Sequence, residues 1–162
     1  MKEGEWNITF LMDRNPPTKI VLLKRAEDKN FAAGWYTGVG GKHEPGETKQ
    51  EAAERELKEE TGLVIPIHEF ARVIVDQKWY LYYFWGIFSG DDLPICDEGD
   101  LEWVDITEVL EKNIVRSTLH MIYEWSKRDF RTDMPWTLYT HKIEEISNGK
   151  EVVDKIIDGF HE

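Results

Sequence analysis

Cysteine is nearly absent from this sequence: Cys96 is the only one in 162 residues. An intrachain disulfide is thereby excluded, and a reducing, cytoplasmic setting fits best. Positive charge is scarce too. Lys and Arg number 20 against 32 Asp and Glu, for a formal net charge of −12. A chain this acidic repels nucleic-acid polymers and anionic membranes, so any phosphate must be met locally, by a few cations and a metal. Apolar runs of about 18 residues, as a membrane-spanning helix requires, do not occur. The opening Met-Lys-Glu-Gly-Glu lacks the apolar core of a secretory leader. Internal repeats and low-complexity tracts are missing as well. What is left is the profile of one domain over residues 1–162, long enough to bury a real core.

Hydrophobic patterning places the elements. Trp6 to Asp13 alternates as a strand with Ile8, Phe10 and Met12 on one face, and Lys19 to Arg25 reads as a buried strand. The turn Arg14–Thr18 joins them into a hairpin. Trp35 to Lys42 carries three glycines in four residues, which argues for a loop that lets backbone approach a ligand closely. Ile67 to Val75 and Lys78 to Ser89 are two long strands joined at Asp76-Gln77. The second is apolar on both faces and so belongs inside a sheet covered on both sides. Leu101 to Asp105 is a short strand, and Asp105 with Glu108 forms a capping box that starts a brief helix to about Leu110. Ser117 to Arg128 reads as a helix with Leu119, Ile122, Tyr123 and Ser126 inward. Pro135 to Tyr139 is an edge strand, and Val152 to Phe160 has helical spacing.

The most informative stretch is 41–63, GKHEPGETKQEAAERELKEETGL. Thr48 and Glu51 make a capping box, Gly62 stands where a left-handed helix end falls, and Ala52, Ala53 and Leu57 supply the apolar stripe. Glu56, Glu59 and Glu60 stand at i, i+3 and i+4, so one helix face concentrates like charge. Oxygen-only donors of this kind suit a hard cation such as Mg²⁺ or Mn²⁺. A solvated acidic helix is the ordinary alternative, and Arg55 with Glu59 four residues on fits a plain surface ion pair.

The full spacing decides between these. Gly, five residues, Glu, seven residues, Arg-Glu-Leu, one residue, Glu-Glu, one residue, Gly-Leu resembles the signature of the Nudix hydrolases, with every fixed position filled. The resemblance implies an α/β fold, a mixed β-sheet sandwiched between α-helices in an αβα sandwich. Residues from about 130 to 162 then form an extension beyond the minimal domain, which could cover the sheet, cap the pocket or serve a homodimer contact. It also implies Mg²⁺ held by Glu56, Glu59 and Glu60, with the Gly41 carbonyl as a further ligand. Arg55 orients a glutamate, with Glu47 the candidate. Glu59, Glu60 or Glu98 acts as general base, with Asp97, Asp100 and Glu102 as rivals to Glu98.

The substrate implied by the family is a small nucleotide. Phe31 to Lys42 is similar to the matching segment of the oxidised-purine nucleoside triphosphatases, which read Trp-Asn-Gly-Phe-Gly-Gly-Lys where Tyr36 and Thr37 begin this one. Lys24 and Arg25, at the end of the second strand, are expected near phosphate, Lys42 is expected to contact substrate, and Phe31, Tyr36 and Thr37 are expected near the base. A threonine hydroxyl cannot make the two-point contact of an amide, so discrimination of 8-oxo-dGTP from dGTP should be modest. Nucleoside triphosphate hydrolysis leads the readings. A nucleotide sugar, a dinucleoside polyphosphate or ADP-ribose is the alternative substrate, and a non-catalytic ligand sensor the alternative class.

Overall fold

The computed structural model describes residues 3–28 and 34–140. Among these residues eight strands form one mixed sheet: β1 Gly4–Met12, β2 Lys19–Arg25, β3 Tyr36–Thr37, β4 Val39–Lys42, β5 His68–Val75, β6 Trp79–Ile87, β7 Gly99–Asp105 and β8 Trp136–Thr140. Helix α1, Lys49–Thr61, packs on one face and α2, Arg116–Ser126, on the other, so the αβα sandwich is the fold. The two-faced pattern of β6 accounts for both cores. Leu81 and Tyr83 pack with Phe10, Phe70 and Trp125 on the α2 side, while Tyr82 and Phe84 pack with Leu11, Ala53 and Leu57 on the α1 side. Its neighbours are β1, parallel, and β5, antiparallel, so neither edge of β6 is open. The turn before it holds both Asp76 and Gln77 at positive φ, as a tight hairpin with the twist of its strands requires.

Three local expectations change. The first hairpin barely pairs: β1 and β2 meet in register at Met12 and Ile20 and then part. The rest of that edge of β1 takes β4 instead, from Trp6 opposite Lys42 to Thr9 opposite Val39, and β2 takes β7 along its whole length. The glycine segment is accordingly not all loop. Its second half is strand β4, and glycine is needed there for close approach, since a Cβ on Gly40 would stand 1.9 Å from the Asn7 carbonyl oxygen. No capping box forms at Asp105. Its Oδ1 accepts from the Thr107 N–H and hydroxyl, a local turn that outcompetes the helix, and only a 3₁₀ turn at Val109–Glu111 follows.

The inner face of α2 is also re-assigned. Thr118, Met121, Ile122 and Trp125 are buried, whereas Tyr123 is 48% exposed and Ser126 bonds back to the Tyr123 carbonyl. Trp125 decides the register. Its ring lies 5.7 Å from Phe10, 4.7 Å from Phe70 and 5.1 Å from Phe130, and its Nε1 donates to the Arg131 carbonyl. A side chain that large fills the gap between helix and sheet, which Tyr123 cannot then enter. The expected edge strand is present as β8, parallel to β5. The helix expected at Val152 to Phe160 lies outside the described residues. Among those residues no helix is long and apolar enough to cross a membrane.

The re-assigned face makes a direct test. Trp125→Ala should cost on the order of 3–5 kcal/mol, the range for deleting a buried large aromatic, and Tyr123→Ala no more than about 0.5 kcal/mol. Urea unfolding of both variants checks this, and comparable losses would restore Tyr123 to the core.

Candidate active site

Helix α1 begins as its sequence requires. The Thr48 hydroxyl accepts from the Glu51 N–H at 3.1 Å, the Glu51 carboxylate accepts from the Thr48 N–H at 2.9 Å, and Gly62 closes the helix at φ 77°. Ala52, Ala53 and Leu57 face the sheet and fix the rotation of the helix. That rotation carries Arg55 to the rim. Its Nε and Nη2 grip both oxygens of Glu47 at 2.6 and 3.0 Å. Nη1 reaches Glu56 at 3.0 Å and Glu59 at 3.1 Å, and Nη2 also donates to the Lys42 carbonyl at 3.2 Å. The guanidinium beside Glu47, with the Glu44 N–H, holds that carboxyl down to about 2.

The three motif carboxylates do not share one environment. Successive helix residues turn by about 100°, so Glu59 and Glu60 diverge while Glu56 and Glu60, four apart, stay in line. Glu59 is exposed and spends its charge on Arg55. Glu56 is turned under Gly41, where a glycine Cβ would stand 2.6 Å from its Oε1. Burial pushes the Glu56 carboxyl up, and Arg55 opposes that. Glu60 accepts from the Gly40 N–H at 3.2 Å. Burial first, then the nearby charges of Glu56 and Glu98, push it up to about 8, against the pull of the Gly40 N–H and Arg25.

Glu98 thus arrives beside Glu60 from the loop before β7, and its backbone carbonyl accepts from the Ala26 N–H at 3.0 Å, which ties that loop to the end of β2. Its rivals are placed otherwise. Asp97 and Asp100 are exposed. Glu102 lies on the α2 side of the sheet, accepting from the Tyr36 hydroxyl at 3.2 Å. The Gly41 carbonyl accepts from Asn7 Nδ2 at 3.2 Å.

A pocket of about 110 Å³ opens where β1 and β2 part. Trp6, Ile8, Leu23, Leu81 and Val115 give it apolar walls; Arg25, Thr37, Glu60 and Thr118 add polar groups, beside the backbone of Gly40 and Gly41. Of the substrate-facing expectations, Arg25 and Thr37 therefore reach the pocket. Tyr36 does not line it: its ring packs against the α2-side core. Lys42 is exposed, its Nζ 5.9 Å from the Trp6 ring. Phe31 lies outside the described residues. Sequence reasoning missed Asn7, Trp6, Val115 and Thr118. A signal existed for Asn7, a polar residue at the head of the buried run that continues from Ile8 to Met12, but none for the three that join the site only through the sheet split.

Among the described residues no three His, Cys, Asp or Glu side chains stand close enough together to hold a metal ion by themselves. The donor set still suits a hard cation. Glu56, Glu60 and Glu98 crowd like charge in a half-buried place, and Mg²⁺ is commonly held by one or two carboxylates together with substrate phosphates.

Comparison with known proteins bears on the family and the fold. The NUDIX domain model matches residues 7–125. A Nudix hydrolase of Bacillus subtilis, YvcI, is 29% identical over 101 residues, which span 56% of this chain and 61% of that one. An oxidized purine nucleoside triphosphate hydrolase of Danio rerio is 44% identical over 67 residues, 41% of each chain. These curated relatives are therefore matched over less than two thirds of their own length. A MutT protein from Bacillus halodurans superposes with a TM-score of 0.62 at 25% identity, covering 85% of this chain and 90% of that one. With the motif filled, the sandwich formed and the domain model matched from Asn7 to Trp125, the chain belongs to the Nudix hydrolase family.

Proposed function

We propose that this protein hydrolyses a nucleoside triphosphate to the monophosphate and pyrophosphate with the aid of Mg²⁺. The observation that carries the reading is the half-buried Glu60, set between Glu56 and Glu98 and opening, beside Arg25, onto an apolar pocket. Carboxylates crowded at one end and apolar walls at the other match a ligand that is polyanionic at one end and a flat heterocycle at the other. Glu56 and Glu60, with the Gly41 carbonyl, would hold the cation, which neutralises phosphate charge when bound. In the reaction a water oxygen bonds to phosphorus, the bridging anhydride bond breaks and pyrophosphate leaves with the electron pair.

Within this reading each residue has a separate task. Glu98 takes the proton from the attacking water. Glu59 is the poorer base because Arg55 holds its charge, and Glu60 because its carboxylate would hold the cation. Arg55 is a positioning residue: it fixes Glu56 through one nitrogen and the backbone of the glycine strand through another. Arg25 meets phosphate and Thr37 lines the base end.

The test is release of pyrophosphate from a panel of nucleoside triphosphates, with Mg²⁺ and with excess chelator. Activity should vanish in chelator, and Glu60→Gln should lower kcat by at least about 10²-fold, since metal-site charge stabilisation is worth several kcal/mol and each 1.36 kcal/mol is tenfold. Full turnover in chelator sinks the reading. Monophosphate released from ADP-ribose or a nucleotide sugar, with none from triphosphates, moves the substrate to that class.

Stability offers a second test without turnover. A carboxyl at about 8 when folded and at its ordinary value of 4.5 when unfolded binds more proton in the native state between those limits. Its contribution is full below the unfolded value and is lost as pH rises through the folded one. In chelator the melting temperature of the wild type should therefore fall between about pH 5 and 8 more steeply than that of Glu60→Gln, which keeps a neutral group throughout. Parallel curves would remove Glu60 from its crowded setting.

At the base end, wild-type kcat/KM for 8-oxo-dGTP over dGTP should stay far below the roughly 10⁴-fold that well-placed buried partners achieve, and Thr37→Val should change the ratio little. A strong preference that collapses in the variant would make Thr37 the reader instead.

A further inference from the structure

The two ends of the sheet are finished differently. β7, which pairs among the described strands with β2, carries Asp100, Glu102 and Asp105 along its length. Charge of this kind commonly keeps an exposed strand edge from pairing further. β8 pairs among the described strands with β5 alone, and Trp136-Thr-Leu-Tyr-Thr140 has no charged residue. It runs from Trp136 opposite Ala71 to Thr140 opposite Val75 without a bulge. Pro135 precedes the strand and so removes none of its N–H groups. Tyr139 lies opposite Ile74, and Ile74 opposite Tyr80, so the tyrosine stands on the α1 side of the sheet. Tyr139 is 66% exposed, and neither it nor Ile74 belongs to either core. An uncharged edge of this kind, with an aromatic beside it, is a template for one more strand.

We infer that the chain's own residues 150–160 are that strand, returned to the β8 edge by a turn at Asn148-Gly149 and thereby keeping a second copy from pairing there. Asn-Gly is a strong hairpin signal, because both central positions of such a turn need positive φ. Val152, Val153, Ile156 and Ile157 are β-branched, as strands prefer. Spacing alone fits a helix over these residues, but it equally sets Val152, Ile156 and Phe160 on one face of a strand. A two-residue turn puts Ser147 opposite Lys150, and the same register puts Asp158 opposite Tyr139 and Phe160 opposite Thr137. Ile156 and Phe160 then flank the Tyr139 ring diagonally on the α1 side. A second copy is the weaker occupant. Return within one chain closes only a short loop, whereas two copies would bring together net charges of −12 each.

Hydrogen exchange read by NMR on the full chain tests this. Successive amides of a strand point to opposite edges, so an open β8 edge leaves every second amide from Thr137 to Thr140 fast, and a covered edge slows them all. All of them should be slow at every protein concentration, with nuclear Overhauser contacts joining the Tyr139 ring to Ile156 and Phe160. Gly149→Val, a β-branched residue at a positive-φ turn position, should speed the outward-facing amides by at least about tenfold and leave those bonded to β5 slow. Asn148→Gly, which keeps the turn, should change neither set. Alternating fast and slow amides in wild type overturn the inference, and so does the absence of contacts from Tyr139 to Ile156 and Phe160. Unchanged exchange in Gly149→Val overturns it as well. An outward set that speeds up on dilution, while sedimentation shows a dimer parting, gives the edge to a second copy instead.

Discussion

The Arg55 guanidinium joins parts of the chain that would otherwise repel. Glu47, Glu56 and Glu59 all accept from it, and so does the Lys42 carbonyl at the end of the glycine strand. Without that cation the motif helix would present uncompensated like charges at i and i+3 to one another and to the preceding loop. With it, the loop at Glu47, the helix and strand β4 are held by one planar group whose donors diverge at fixed angles. Glu60 lies on the far side of this arrangement. It keeps a backbone N–H and the charge of Arg25, and it bears the burial and the crowding by Glu56 and Glu98. The site therefore has a neutralised half that fixes geometry and a crowded half whose oxygen donors suit a hard cation.

The second constraint is the parting of β1 from β2. A continuous hairpin would seal the sheet there. Instead the register ends at Met12 and Ile20, and β4 enters along β1. That entry is possible because Gly40 lets the backbone meet Asn7 at a distance no Cβ would allow, and because Gly41 leaves room for the Glu56 carboxylate. Glycine here serves close approach rather than flexibility. The split leaves a pocket whose walls come from both sides of the sheet, and it brings the buried Thr118 hydroxyl of α2 into the same space as Glu60 of α1.

Local chemistry made much of this legible in advance. The capping box, the left-handed Gly62, the apolar stripe of α1 and the two-faced burial of β6 follow from side-chain spacing and backbone preference, which act over a few residues. The motif spacing identified the family on the same local footing. Expectations failed where a distant partner outweighed local preference. Glycines that read as loop became strand because β1 lacked a neighbour, and Tyr123 gave up the inner face of α2 because the Trp125 ring reached Phe10 and Phe70.

The sequence alone thus determined that a glutamate-rich helix would form, where it would start and stop, and which oxygen donors it would carry. Tertiary structure decided how those donors divide. A helix wheel places Glu56, Glu59 and Glu60 on one arc, but only docking through Ala53 and Leu57 half-buries Glu60, sends Glu59 to Arg55 and sets Glu98 alongside. Pocket walls drawn from Trp6, Leu81, Val115 and Thr118 were equally beyond reach, since residues far apart in the chain become neighbours only through strand pairing and helix packing, and local spacing carries no record of either.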